Sequence, residues 1–163
     1  MSGAIAGPAR GAEGEHETRR EPAAWRGLRW PVLAPALATT VCALVDVEAH
    51  TLTVSSAGHL PPLLIGDGTG TFIQGEVGVP IDVNTAATYA STAVSTPPAA
   101  TLLAFTDGLV ERRGESIDAG LERLQHAAIT NHSDLEGLLS RLLEELRHDS
   151  DDDTAIAGLR WLD

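Results

Sequence analysis

The stretch LLAFTDGLVERR, Leu102–Arg113, decides how the rest of the chain is read. Leu102-Leu103-Ala104-Phe105 is apolar throughout, and a short apolar run bounded by turn residues reads as a strand buried on both faces. Thr106-Asp107-Gly108 ends the run, and Leu109-Val110 resumes the apolar pattern. A carboxylate therefore stands at the mouth of a buried strand with a glycine directly behind it. Taken alone, Asp107-Gly108 reads as a turn after a strand.

On the upstream side, Thr96-Pro97-Pro98 separates this strand from an expected strand over Thr88–Val94. Earlier strands are expected at Ala38–Val47, Thr51–Ser56 and Pro61–Ile65. Gly66–Gly70 reads as the turn of a hairpin that returns along Thr71–Gln74. On the downstream side, a helix is expected over Asp118–Ile129, with Leu121, Leu124 and Ala128 on one face. A second follows a capping box, Ser133-Asp134-Leu135-Glu136, with Leu135, Leu138, Leu139, Leu142, Leu143 and Leu146 as one stripe. A last strand, Thr154–Trp161, alternates Ala155, Ala157, Leu159 and Trp161 against Ile156 and Arg160. Strands, then helices, then a closing strand indicate an α+β fold with helices on a mainly antiparallel sheet.

Residues 1–31 are rich in Gly, Ala, Glu and Arg without a period and read as a disordered tail; 32–163 read as one domain. The chain has 163 residues and 43% hydrophobic content, enough for one aliphatic core, since aromatics make up only 4%. The formal net charge of -12 argues against nucleic acid, whose phosphates need a basic face. The acidic excess suits divalent cations or basic partner surfaces. Pro31–Val45 is the longest apolar candidate for a membrane span. It contains Pro31 and Pro35 and falls short of the roughly 20 apolar residues a span needs. Arg19-Arg20 invites a twin-arginine export reading, but Glu21-Pro22-Ala23 fits such a signal poorly. Cys42 is the only cysteine and reads as a buried, inert thiol, a pattern that suits the cytoplasm.

A second acidic cluster, Asp151-Asp152-Asp153, precedes the last strand. If that strand neighbours Leu102–Thr106 in one sheet, the carboxylates of both segments meet at the sheet's end. Gathered carboxylates repel unless a cation sits between them, and oxygen-only donors select Mg²⁺, Mn²⁺ or Ca²⁺. The plain alternative for Asp151–Asp153 is a solvated turn. An EF-hand start would alternate as Asp149, Asp151 and Asp153 do, but Thr154 and Arg160 stand where that loop needs Gly and Glu. His59 follows a glycine between two strands and reads as a turn residue, with substrate contact as the functional alternative. Arg112 and Arg113 read as solvated surface or as phosphate contacts.

Five segments in order carry a resemblance: SAGHLPPLLI (Ser56–Ile65), GVPIDV (Gly78–Val83), LLAFTDGLVERR (Leu102–Arg113), GLERL (Gly120–Leu124) and DDDTAIAGLR (Asp151–Arg160). Over about Ala38–Leu162 the chain resembles the SpoIIE/RsbU-type branch of the PPM metal-dependent protein serine/threonine phosphatases. The resemblance implies an αββα sandwich and a two-metal centre holding Mn²⁺ or Mg²⁺. It implies hydrolysis of phosphoserine or phosphothreonine by a two-metal-activated water. Asp107 with Gly108 matches the family's Thr-Asp-Gly metal motif, and Asp152 and Asp153 match its C-terminal acidic motif. His59 and Arg112 are then candidates for substrate binding. The implied partner is a phosphorylated anti-anti-sigma-like protein, in a cytoplasmic setting without membrane or nucleic acid. The family's early Gly-Gly-Asp segment, which supplies the bridging aspartate, has no counterpart in the sequence. The expectation is therefore an incomplete sandwich lacking N-terminal strands, of doubtful activity on its own or acting as a non-catalytic partner-binding module. Exposed sheet edges should make it self-associate, with Leu102–Phe105 and Val41–Val45 as the uncovered strands.

Overall fold

The computed structural model describes residues 38–130, 134–146 and 153–162. The chain divides into two units, Met1–Leu33 and Ala34–Asp163, and all described residues lie in the second. The expected tail over 1–31 and the capping residue Ser133 fall outside the described residues.

Strands β1 (Thr40–Asp46) and β2 (Thr51–Ala57) form an antiparallel hairpin paired from Thr40↔Ala57 to Asp46↔Thr51. The turn between them is set by Asp46, whose Oδ1 accepts from the Ala49 amide at 2.9 Å. Strands β3 (Leu63–Gly66) and β4 (Thr69–Phe72) form a second hairpin. Its turn is tighter than the sequence suggests, because Asp67 and Gly68 both take positive φ, +52° and +71°. A two-residue turn of this kind follows the twist of the strands, so the return strand starts at Thr69 rather than Thr71. Then come β5 (Val77–Gly78), β6 (Thr92–Ser95), β7 (Thr101–Phe105), helices α1 (Ile117–Thr130) and α2 (Leu135–Leu146), and β8 (Ile156–Arg160).

The strands make two sheets. In the first, β2 pairs with β1 on one side and with both β6 (antiparallel) and β5 (parallel) on the other. The second runs β4-β3-β7-β8 and is antiparallel throughout. Alternation along the central strands sorts two cores. Leu63 and Ile65 of β3 and Leu103 and Phe105 of β7 face the helices, where they meet Leu124, Leu138 and Leu142. Leu64 and Leu102 face the first sheet and pack with Leu52, Val54 and Trp161. Both described helices pack on the second sheet.

Ser116 accepts from the Ala119 amide at 3.3 Å and opens α1. In α2 the cap is Asp134: its Oδ1 accepts from the Gly137 amide at 2.8 Å, the position three residues on. That hydrogen bond is the main reason its carboxyl sits below the ordinary carboxylate range. Leu138, Leu142 and Leu146 are buried, but Leu143 is exposed, so the stripe is narrower than the sequence count.

Two expectations are corrected, those for Leu102–Phe105 and for Cys42. Leu102–Phe105 is not uncovered: Leu102, Leu103 and Phe105 are buried, because β7 lies between β3 and β8 with helices over one face and the first sheet over the other. Ala157 and Leu159 of β8 point away from the helices yet are exposed, Leu159 at 43%, because the first sheet does not reach over this edge strand. Cys42 is half-buried rather than buried, and desolvation pushes its thiol pKa up. In β1, where Val41–Val45 was expected to be uncovered, Leu44 is 66% exposed. Among the described residues β2 is the only strand paired with β1.

Candidate metal and phosphate site

Beyond Phe105 the chain leaves β7 and enters a 3-10 turn, Asp107–Leu109. The turn is tied by Leu109 N donating to Thr106 O and by the amides of Val110 and Glu111 donating to Asp107 O. Gly108, Leu109 and Val110 are buried while Asp107 is exposed, so the turn is anchored from beneath and presents its carboxylate outward. One carboxylate oxygen, Oδ1, accepts from the Gly108 amide at 2.9 Å, which fixes the side chain.

Strand β8 is the antiparallel neighbour of β7, and their pairing runs out at Phe105↔Ile156. Asp107 and Asp153 therefore each lie just past the last pair of adjacent strands. Hydrogen bonds join them beyond the last strand pair. The Thr106 amide donates to Ala155 O at 3.0 Å. The Thr106 hydroxyl donates to Asp153 O at 3.0 Å and accepts from the Ala155 amide at 2.8 Å. The Thr154 hydroxyl donates to Gly108 O at 3.0 Å. Asp153 is exposed at this edge; Asp152 lies outside the described residues.

A cleft of about 330 Å³ opens beside the turn, lined among others by Thr39, His59, Thr106, Asp107, Glu111 and Glu115. His59 reaches it from the SAGHLPPLLI segment. Gly58 takes φ +73° after β2 and turns the chain, and Ser56 Oγ bonds both the amide and the carbonyl of His59. His59 Nδ1 lies 2.9 Å from Leu60 O. A carbonyl only accepts, so Nδ1 is the donor in this bond. Arg112 is not among the lining residues; its Nε is buried.

Glu111 and Glu115 were not singled out from the sequence, although Glu111 stands four residues after Asp107, the spacing that shares one side of a helical turn. Arg123 of α1 holds the far wall, pairing with Glu115 Oε2 at 2.7 Å and donating to Val110 O at 3.2 Å.

The donors around this end are oxygens, which fits a hard divalent cation rather than a thiolate-seeking one. Among the described residues no group of three or more His, Cys, Asp or Glu side chains is close enough to hold an ion. The described donors match the chemistry of such an ion without completing its shell.

Comparisons with known proteins bear on this end of the molecule. The family model described as Stage II sporulation protein E (SpoIIE) matches residues 17–162. Among solved structures, the RsbU and RsbW domains of a Mycobacterium tuberculosis protein align at 25% identity and TM-score 0.66, over 76% of this chain and 37% of that one. The Mn-presoaked phosphatase domain of the cell fate determinant SpoIIE from Bacillus subtilis aligns at 11% identity and TM-score 0.57, over 76% and 56%. The SiaA-PP2C domain of Pseudomonas aeruginosa aligns at 20% identity and TM-score 0.51, over 70% and 48%. The chain thus spans little more than a third to just over half of these structures. No curated protein matches it.

Proposed function

The chain belongs to the Stage II sporulation protein E (SpoIIE) family, and from that premise we propose that it is part of a metal-dependent phosphatase acting on phosphoserine or phosphothreonine of a bacterial regulatory protein of the anti-anti-sigma type. Its fold is the PP2C-type sandwich, present in part. The observation that supports the reading is the meeting of the β7 and β8 ends, where Thr106-Asp107-Gly108 lies hydrogen-bonded against Asp153-Thr154-Ala155.

In this proposal Asp107, Asp152 and Asp153, with the backbone at Gly108, hold Mn²⁺ or Mg²⁺, and the protein works in the cytoplasm. Bound divalent ions would lower the pKa of water and neutralise charge on the phosphoryl oxygens. The chain's own residues supply the rest. The buried 3-10 turn orients Asp107. His59, held at the cleft by its Nδ1 bond to Leu60 O and by Ser56 Oγ, is placed for substrate contact. Arg112 remains a candidate for phosphate only through a shift of its side chain. A second reading, a non-catalytic module that binds a partner-switching protein, draws on the chain spanning about half of the SpoIIE phosphatase domain and on the open edge of β1.

Calorimetric titration with Mn²⁺ and hydrolysis of p-nitrophenyl phosphate test the reading together. Weak Mn²⁺ binding, in the high-micromolar range or above, is expected, because affinity follows the number and preorganisation of carboxylates. Asp107→Asn is expected to abolish it, and turnover by the chain alone is expected to be slight. Mn²⁺ binding untouched by Asp107→Asn would overturn the assignment. Robust turnover lost in both Asp107→Ala and Asp152→Ala would remove the non-catalytic reading.

A further inference from the structure

We propose that Thr106 and Thr154 are positioning residues whose hydroxyls lock the Asp107 turn to the 153–155 segment, so that the two acidic ends move as one body. The inference rests on the metal-site reading above and adds what sets the spacing of its carboxylates.

Strand pairing cannot hold this spacing. The β7–β8 ladder stops at Phe105↔Ile156, and Asp107 and Asp153 both lie beyond it. Two like-charged, exposed segments past the end of a ladder repel, and the one backbone bond beyond the last pair, Thr106 N to Ala155 O, stops short of both carboxylates. The threonines cross between them in both directions. Thr106, next to Asp107, donates its hydroxyl to Asp153 O and accepts at the same oxygen from the Ala155 amide. Thr154, next to Asp153, donates to Gly108 O inside the 3-10 turn. The amides of residues 109–111 bond Thr106 O and Asp107 O, which leaves the Gly108 carbonyl for Thr154. Each hydroxyl thus occupies a backbone group of the opposite acidic segment. Threonine suits the task, because its branched Cβ restricts χ1 and holds the hydroxyl in place at little entropic cost. The Thr106 hydroxyl has Asp153 O at 3.0 Å as its nearer acceptor and Ala155 O at 3.5 Å as a second, both on the 153–155 segment.

Residues that orient metal-binding carboxylates without touching the ion change its affinity by about 10–100-fold when removed. Valine has the shape and χ1 preference of threonine without the hydroxyl; serine has the hydroxyl without the branch. The experiment compares the full chain with Thr154→Val, Thr154→Ser and Thr106→Val. One readout is hydrogen exchange of residues 106–111 without metal; the other is Mn²⁺ titration by electron paramagnetic resonance. T154V should exchange about tenfold faster over 106–111 while 117–130 stays as in the parent, and should bind Mn²⁺ about tenfold more weakly, the lower end of that range. T154S should restore most of both. T106V loses two bonds and should show a larger effect; if it fails to fold, T154V still decides. Unchanged exchange in T154V overturns the lock. Faster exchange with unchanged Mn²⁺ affinity overturns its role at the metal site. If the parent takes up no Mn²⁺ at millimolar concentration, the metal-site reading itself falls, and the exchange result alone supports or overturns the lock.

Discussion

Gly120 of α1 packs directly on the backbone of Val110, at the end of the turn that carries Asp107. A methyl group at position 120 would lie 2.8 Å from the Val110 carbonyl carbon and closer still to its oxygen. Ordinary carbon–carbon contact begins near ~3.5 Å, so the helix and the turn would have to part by roughly 0.7 Å or more. The obstacle is backbone, and it is held: Val110 is buried, and its carbonyl also accepts from Arg123. Two effects oppose each other in Gly120→Ala. The helix gains up to about 1 kcal/mol from the better propensity of alanine. Forcing a methyl group into a filled site costs about 1–3 kcal/mol. Contact against fixed backbone places this site at the upper end of that range, so a net loss of about 1–2 kcal/mol is expected. For a domain of this size that lowers Tm by roughly 3–8 °C. Thermal melting followed by circular dichroism measures it. A Tm equal to or above that of the parent would mean that propensity outweighs contact, and that the α1–turn junction is looser than the packing argument holds.

Asp134→Ala removes the cap of α2 and should lower Tm at neutral pH. Because the folded carboxyl is depressed by its bond to the Gly137 amide, this contribution is present above the unfolded pKa of about 3.9 and lost as pH falls through the lower folded value. The Tm gap to the parent should therefore narrow in strong acid; a gap independent of pH would contradict the capping account. Leu44→Lys places a charge on the exposed face of β1, which among the described residues pairs only with β2, and should reduce the apparent mass seen by light scattering at high protein concentration if β1 mediates association. A parent chain that stays monomeric throughout would remove the self-association reading.

How much of this was legible in the sequence depends on which residues fixed each feature. Strands β1, β2, β3 and β7 announce themselves because one face or both are apolar in period two, and the helices because leucines recur at helical spacing. Strand β5 did not, because two residues, Val77-Gly78, have no pattern of their own and are strand only through pairing with β2. At the start of α2 Ser133 and Asp134 are both good caps by residue type; Ser133 lies outside the described residues, and geometry shows Asp134 bonding the Gly137 amide. At the site, Asp107 and the acidic cluster stood out by charge. Thr106 and Thr154 did not, because a hydroxyl has no sequence signature until its partner is known, and those partners lie 46 to 49 residues away.

The placement of β7 explains why Leu102–Phe105 is covered where the sequence suggests an open strand. Incomplete sheets expose their outer strands, and the exposure here falls on β1 and on the inner face of β8. Strand β7 is interior to its own sheet, roofed by α1 and α2 on one side and by Leu52 and Val54 on the other. The segment bearing Asp107 is thus built on the covered part of the described domain, away from the exposed side chains of β1. The sites are also separated in the chain's own wiring: the 3-10 turn is held by Thr154 and Arg123, neither of which touches β1 through a hydrogen bond. A substitution at Leu44 of β1 and one at Asp107 therefore draw on different residues, and the first is expected to leave the turn that presents the carboxylate in place.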